Sequence, residues 1–392
     1  MARSVLVNVR PWGGPASDVT IEDGTITAVR PTASPTPTEG TVLDGRGRLA
    51  LPGLVNAHAH LDKSWWGRPW VPYGGEPTTQ GRIAHERAHR DELGIPSIEA
   101  TTGLVRELLR LGTTAFRTHV DVDLGVGLDG IAVVREAVAA VDPGIALSIV
   151  AFPQDGVLRR PGVLDLLDRA AAEGADHVGG LDPASIDRDP VGQLDALFDL
   201  ADRRGVGLDI HLHDPGELGA FQYELIIERT RATGLAGRVT VSHGFALGDV
   251  PATRQRDLVD RLAAAGVALA TVAPVGRPPL PMTALRDAGV PVGLGTDGIR
   301  DLWGPFGDGD VLRLAGTLAQ LAGWRRDEDL LSAARVATSA AAPFVGRAVH
   351  DLVPGAPADL ILLDAENPQD AVTRAPAREL VLVGGRVVAP TA

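Results

Sequence analysis

Short apolar runs alternate with amphipathic stretches through the middle of this chain. The runs TTAFRTHVD, IALSIVAFPQ, ADHVGGLDP, VGLDIHLHD, RVTVSHG, VALATVAP and PVGLGTD read as buried strands. LPGLVNAHAH, ahead of them, opens the series and brings it to eight. Between most of them lie helical patterns. SIEATTGLVRELLRLG, GIAVVREAVAAV, PGVLDLLDRAAAEG, PVGQLDALFDLADRRG and ATRQRDLVDRLAAAG repeat apolar residues at the 3.6-residue period. The first of these helices has Pro96, Ser97 and Glu99 at its start and stops at Gly112, good chemistry for both ends. Eight such units predict an α/β fold of the (β/α)8 TIM-barrel type. A doubly wound open sheet is the alternative, but no GxGxxG follows the first strand.

The two ends of the chain follow another rhythm. SVLVNVR, SDVTIEDGTITAVR and GTVLDGRGRLALPG alternate apolar and polar residues, with turns at Asp23-Gly24 and Gly45. APADLILLD and ARELVLVGGRVVA near the C-terminus do the same. PTASPTPTEG between the early strands reads as a loop. Both termini therefore pair into one small β-sandwich domain, 1–52 plus 346–392, around a barrel of 53–345.

Composition narrows the partners. A net charge of −13 argues against nucleic acid, whose phosphates require clustered Lys and Arg. With no cysteine, disulfides and Cys-ligated zinc are excluded, and with them the nucleobase deaminases built on PCxxC. MARSVLVNVRPWGG lacks a signal-peptide apolar core, and no run approaches the ~18 apolar residues of a membrane span. The expectation is a cytoplasmic protein with no membrane partner; homo-oligomerisation stays open. Of 37 Lys and Arg residues one is a lysine, Lys63, within NAHAHLDKSWWG. A position that stays Lys in so Arg-biased a chain points to a need for a compact ammonium able to change protonation.

In a (β/α)8 barrel the reactive groups sit at the C-terminal ends of the strands. His58 and His60 end the first run, His119 and Asp121 the second, Gln154 and Asp155 the third, and Asp182 the fourth. His211, His213 and Asp214 end the fifth, His243 the sixth and Asp297 the eighth. His58 and His60, two apart on a strand, face the same side, so both reach one metal. With His211 and Asp297 from across the barrel they form a three-His, one-carboxylate set suited to Zn2+ or Fe2+. His85 and His89, on the polar stretch GRIAHERAHRDE, read as a solvated face or lid, and His177 and His350 as incidental.

The LPGLVNAHAH entry, the strands from both termini and these strand ends resemble the amidohydrolase superfamily over essentially the whole chain. Within it, HAHLDK, RTHVDVD, VAFPQDG, DIHLHD, VSHG and LGTDGIRDLWGPFG resemble the cytosine deaminase branch, which also includes the isopropylammelide amidohydrolases of s-triazine breakdown. The resemblance implies one divalent metal held by His58, His60, His211 and Asp297. It implies that Gln154 hydrogen-bonds the ring amide of a substrate, that Trp303 lines the pocket, and that His243 polarises the attacked group or holds the nucleophilic water. Asp182 is assigned with Gln154 and Trp303 to substrate binding. Many relatives bridge two metals with a carboxylated lysine on strand four; Lys63 is the sole lysine and follows strand one, which favours a mononuclear site.

Two departures matter. The branch carries a proton-shuttling glutamate three residues after the fifth-strand histidine, where this chain has Asp214, so Asp214 or His213 takes that role. It also carries a second aspartate after the metal-binding one, where this chain has Gly298, which argues against cytosine. Lys63 and the HLH at 211–213 look closer to the isopropylammelide enzymes.

The chemistry expected is attack on an sp2 ring carbon by hydroxide formed at the metal, which lowers the pKa of bound water from 15.7 to roughly 7. Asp297 takes the water's proton, Lys63 or His243 stabilises the developing negative charge, and Asp214 or His213 carries protons to the leaving amine. Trp65, Trp66, Trp70 and Trp303 are candidates to stack on a flat ring. The substrate expected is an amino-substituted N-heterocycle such as a pyrimidine or triazine, losing ammonia or an alkylamine. Hydrolysis of a cyclic or exocyclic amide is one alternative, and a ligand-binding relative without catalysis another.

Overall fold

The computed structural model describes residues 3–32 and 40–390. The stretch read as a loop, PTASPTPTEG, lies for the most part outside the described residues. Strand Arg3–Pro11 pairs antiparallel with Ser17–Glu22, which turns at Asp23-Gly24 into Thr25–Pro31. Both turn residues have positive φ (47° and 82°), the geometry that lets a two-residue hairpin follow the strands' twist. Arg3–Pro11 also pairs in parallel with Thr41–Asp44 and Leu49–Pro52. Leu49–Pro52 then pairs with Leu360–Leu363, which leads to Arg378–Val383 and Arg386–Pro390. Leu6, Val19 and Ile21 share one buried cluster with Leu360, Leu362 and Leu382, so the two ends of the chain close a common core.

One glycine later the chain enters the barrel. Its eight strands pair in parallel and in chain order: Leu54–Ala59, Thr113–Asp121, Ala146–Phe152, His177–Leu181, Gly207–Leu212, Val239–His243, Val267–Thr271 and Val292–Leu294. These are the eight apolar runs. The seam between the last strand and the first is closed by a bridge between Ala59 and Asp297, with the Asp297 N–H donating to the His58 carbonyl at 3.0 Å. Gly295 permits this approach: a Cβ there would lie 2.3 Å from the His58 carbonyl oxygen.

The helices form where period and caps agree. Ile98–Arg110 starts at Ser97, whose hydroxyl accepts from the Ala100 N–H, and buries Leu104, Val105 and Leu108 against the barrel. Each such leucine contributes about 1.5–3 kcal/mol of burial. Thr79–Leu93, capped by Thr78 and by Gly94 in the left-handed region, departs from expectation. GRIAHERAHRDE is helical, but one stripe of it, Arg82, Ile83, Glu86 and Arg90, is buried rather than solvated. Arg82 donates to the Leu302 carbonyl, and Arg87 pairs with Asp155 at 2.9 Å. The helix is thereby clamped onto the loops that follow strands eight and three. Among the described residues no helix is long and apolar enough to cross a membrane.

Candidate active site

At the C-terminal mouth of the barrel a cavity of about 240 Å³ is lined by His60, Lys63, Phe152, Gln154, His211, His213, His243, Asp297, Gly298, Asp301 and Trp303, among others. It is small beside the ~300–1,000 Å³ of drug-sized ligand sites and fits a single ring.

Three overlapping groups of donor atoms share His58, two of them at the cavity and a third with His119 and Asp209. In one, His58 and His60 Nε2 stand 3.6 and 3.3 Å from Asp297 Oδ1. In the other, His58 meets His211 and His243, each set within 4.8 Å. His58 Nε2, both ring nitrogens of His211 and His243 Nε2 are buried without a hydrogen-bond partner among the described residues. Unpaired buried nitrogens are costly unless something else satisfies them. Burial lowers the pKa of His60 to about 4 and pushes those of His211 and His243 well below the ordinary histidine value, so these rings are neutral. Against the cost of desolvation, His58 and His60 hold Asp297 well below the usual carboxylate range. Neutral imidazoles and a charged carboxylate are the protonation states a divalent cation requires, and the donor set fits one.

A buried chain of polar groups fixes the His58 ring. His58 Nδ1 is 2.9 Å from Ser242 Oγ, which donates to Asp209 Oδ1 at 2.5 Å, and Asp209 accepts from Arg117 at 3.0 Å. Arg117 further donates to the Phe344 carbonyl and bonds the His177 ring at 3.0 Å. His119 lies 3.7 Å from Asp209 and joins the His58 cluster from beneath. Asp209 and Arg117 escape a census of strand ends. The available signal was register: each stands two residues before a strand-end histidine, on the same interior face. His177 and His350, read as incidental, are both structural, His350 bonding the Gly53 carbonyl at 2.7 Å.

The fifth strand's residues divide. His213 faces the cavity, and its Nδ1 is 2.8 Å from Asp182 Oδ2, while Asp182 Oδ1 accepts the His213 backbone N–H. Burial pulls the His213 pKa down, but the Asp182 carboxylate outweighs it and leaves the pKa raised. Asp182 is thus buried behind His213, away from the position of a substrate-binding residue. Asp214, the other shuttle candidate, turns away from the cavity to accept from Gln222 Nε2 at 2.9 Å. Three of these residues hold left-handed backbone, Asp182 at φ 32°, His243 at 66° and Asp297 at 61°. Such positions cost about 1–3 kcal/mol each and cluster where geometry is functional.

The opposite wall is built around Glu86, a residue the sequence reading missed. Glu86 Oε2 accepts from Gln154 Nε2 at 2.6 Å and from the Trp303 indole N–H. Lys63 Nζ lies 2.8 Å from Asp121 and 3.8 Å from Glu86, with the Phe152 and Trp303 ring centroids 5.7 and 5.9 Å away. Burial alone would lower the Lys63 pKa, but Asp121, Glu86 and Asp62 raise it above the ordinary lysine value. Lys63 is therefore held as a cation, against the expectation that it changes protonation. Of the four tryptophans considered for stacking, only Trp303 lines the cavity. The Arg300 guanidinium lies 5.5 and 5.3 Å from the Trp65 and Trp66 rings, and Trp70 packs on Trp65. His85 and His89 flank a separate surface groove beside Trp70.

Gly298 also reads differently in space. A Cβ there would stand 1.7 Å from Asp301 Oδ2, so the carboxylate missing from position 298 is supplied to the cavity by Asp301. Asp301 Oδ1 accepts the backbone N–H groups of Trp303 and Gly304, and desolvation pushes its pKa up to about 7.

A TIM barrel with histidine and aspartate donors converging at its mouth defines a class, and comparison bears it out: residues 99–389 match the amidohydrolase family, and the chain belongs to it. It is a hydrolase of C–N bonds, in the cytosine deaminase-like branch of the superfamily. The crystal structure of N-isopropylammelide isopropylaminohydrolase from Burkholderia multivorans ATCC 17616 is 42% identical, with a TM-score of 0.94 over 100% of this chain and 99% of that one. The N-isopropylammelide isopropyl amidohydrolase of Pseudomonas sp. strain ADP is 31% identical over 364 residues, 89% of each protein. The 5-methylcytosine deaminase of Klebsiella pneumoniae, liganded with 5-fluorocytosine, is 27% identical with a TM-score of 0.84, covering 99% of this chain and 98% of that one.

Proposed function

We propose that this protein hydrolyses the bond between a ring carbon and an exocyclic amine on an oxo-substituted N-heterocycle, with an N-alkylamino triazine of the isopropylammelide type as the foremost substrate. The observation carrying this reading is that one small cavity joins the donor set of His58, His60, His211 and Asp297 to a wall of Gln154, Lys63 and Trp303. Similarity to an isopropylammelide enzyme at 42% identity supports the triazine over the pyrimidine.

His58, His60, His211 and Asp297 are the proposed ligands of one Zn2+ or Fe2+. Such an ion, when bound, supplies an activated water and Lewis acidity. Asp297 accepts the water's proton as oxygen bonds the ring carbon. His243 stabilises the oxygen side of the adduct, and Lys63 the negative charge that develops on the ring. His213, oriented by Asp182, delivers a proton to the departing nitrogen as the C–N bond breaks. This replaces Asp214 in the shuttle role, since its carboxylate is committed to Gln222. Trp303 flanks the ring. We also propose the division into 1–52 plus 346–392 and 53–345 as two domains, supported by the change of sheet at Gly53.

The test is product analysis on purified protein offered N-isopropylammelide, cytosine and 5-methylcytosine, with metal content measured alongside. The expected outcome is isopropylamine from the first, with the ring intact. A new carboxylate from ring opening would replace this reading with amide hydrolysis, and no turnover by metal-replete protein would reject it.

A further inference from the structure

Glu86 belongs to no strand end and lies on a helix outside the barrel, yet it is only 4% exposed and both of its oxygens are engaged with the cavity wall. Against desolvation, Lys63 and the Trp303 indole hold its pKa below the ordinary glutamate value. An ionised carboxylate can only accept hydrogen bonds. The side-chain amide of Gln154 must therefore present its NH2 to Glu86; turned over, it would set carbonyl against carboxylate. With Nε2 held at 2.6 Å, Oε1 is the atom that Gln154 offers to the cavity it lines, and it takes no hydrogen bond from any described residue. Beside it stands Lys63, a triple donor with one close partner, Asp121 at 2.8 Å.

We propose that Glu86 is a positioning residue that sets the hydrogen-bond polarity of this wall, so that the cavity selects a ring edge carrying an N–H beside a C=O. Gln154 Oε1 accepts from the ring N–H, and the Lys63 ammonium donates to the neighbouring oxygen. The same indole-to-carboxylate bond holds Trp303 in place along this wall. The substrate class is then a lactam-edged ring. A ring edge that offers acceptors alone puts acceptor against acceptor at Gln154 and leaves buried polar groups unpaired. The inference rests on the heterocycle reading above and deepens it.

Pyrimidin-2(1H)-one and 1-methylpyrimidin-2-one test it by binding alone. They share the ring and its C=O, but the first carries an N–H beside that C=O, whereas the second offers only a ring nitrogen beside it, acceptor next to acceptor. Calorimetric dissociation constants for metal-replete wild-type protein are expected to favour pyrimidin-2(1H)-one. In Glu86→Gln, whose side chain can donate or accept, Gln154 is free to turn, and the ratio of the two constants is expected to fall about 10-fold. Glu86→Asp keeps the charge beside Lys63 but withdraws it from Gln154, carries the same expectation, and covers a failure of the neutral variant to fold. With N-isopropylammelide, the loss is expected in KM more than in kcat. A folded, metal-replete variant that keeps the wild-type ratio overturns the proposal, as does a wild-type preference for 1-methylpyrimidin-2-one. Because the binding arm needs no turnover, it separates failure of this inference from failure of the proposed reaction.

Discussion

The two walls of the cavity solve opposite problems. On one, His58 Nε2, both ring nitrogens of His211 and His243 Nε2 are buried and unpaired, and Asp297 stands among imidazoles. On the other, Glu86 accepts from Gln154 and the Trp303 indole, and Lys63 pairs with Asp121. The first wall is incomplete in its own hydrogen bonding, a donor set that suits a positive charge. The second is preorganised, with its donors and acceptors fixed before any ligand arrives. Catalysis gains from each arrangement differently: the incomplete wall supplies reactivity, while the finished one supplies orientation without reorganisation.

The contrast can be broken from either side. Asp297→Asn removes the sole carboxylate from the incomplete wall. It is expected to lower kcat/KM on the order of a thousandfold and to lower bound metal, read by steady-state kinetics and elemental analysis. Lys63→Arg strikes the finished wall instead. A guanidinium cannot sit as a point charge between Asp121 and Glu86, so kcat/KM should fall about 100-fold while metal content holds. Equal turnover in that variant would reduce the lone lysine to an accident of composition. The smallest effect concerns Asp301, at the edge between the walls. Its pKa rises from the ordinary 3.8 to about 7 on folding, so the native state holds a proton that the unfolded chain has released. Stability from this group is full below about pH 4, declines as pH rises toward 7, and is flat above. Asp301→Asn should therefore lessen the decline by up to one proton's worth across that window, measured by denaturant unfolding at several pH values. Asp62, raised to about 6, contributes in the same direction and remains in the variant.

The incomplete wall was also the legible one. A strand fixes its side chains by alternation, so His58, His60 and His211 could be placed on the barrel's inner face from spacing alone. The eight strands were readable for the same reason. Glu86 was hidden because a polar helix betrays its buried face weakly: only Ile83, three residues earlier, marks the stripe on which it lies. Loop geometry was beyond the sequence as well. Gly298 read as a carboxylate lost, whereas the fold brings Asp301 into that space. Trp65 and Trp66 read as stacking platforms, and only the path of the chain after strand eight brings Arg300 against both.

The seam that closes the barrel has a last consequence. The short strand Val292–Leu294 meets the first strand chiefly through the residues beyond it, and the peptide group of Asp297 makes that joint. The clasp of the architecture and the carboxylate of the site are thus one residue. Two positions of this joint are held for different reasons, Gly295 by the close approach of the His58 carbonyl and Asp297 by its carboxylate among the histidines, so the seam and the site cannot be altered separately.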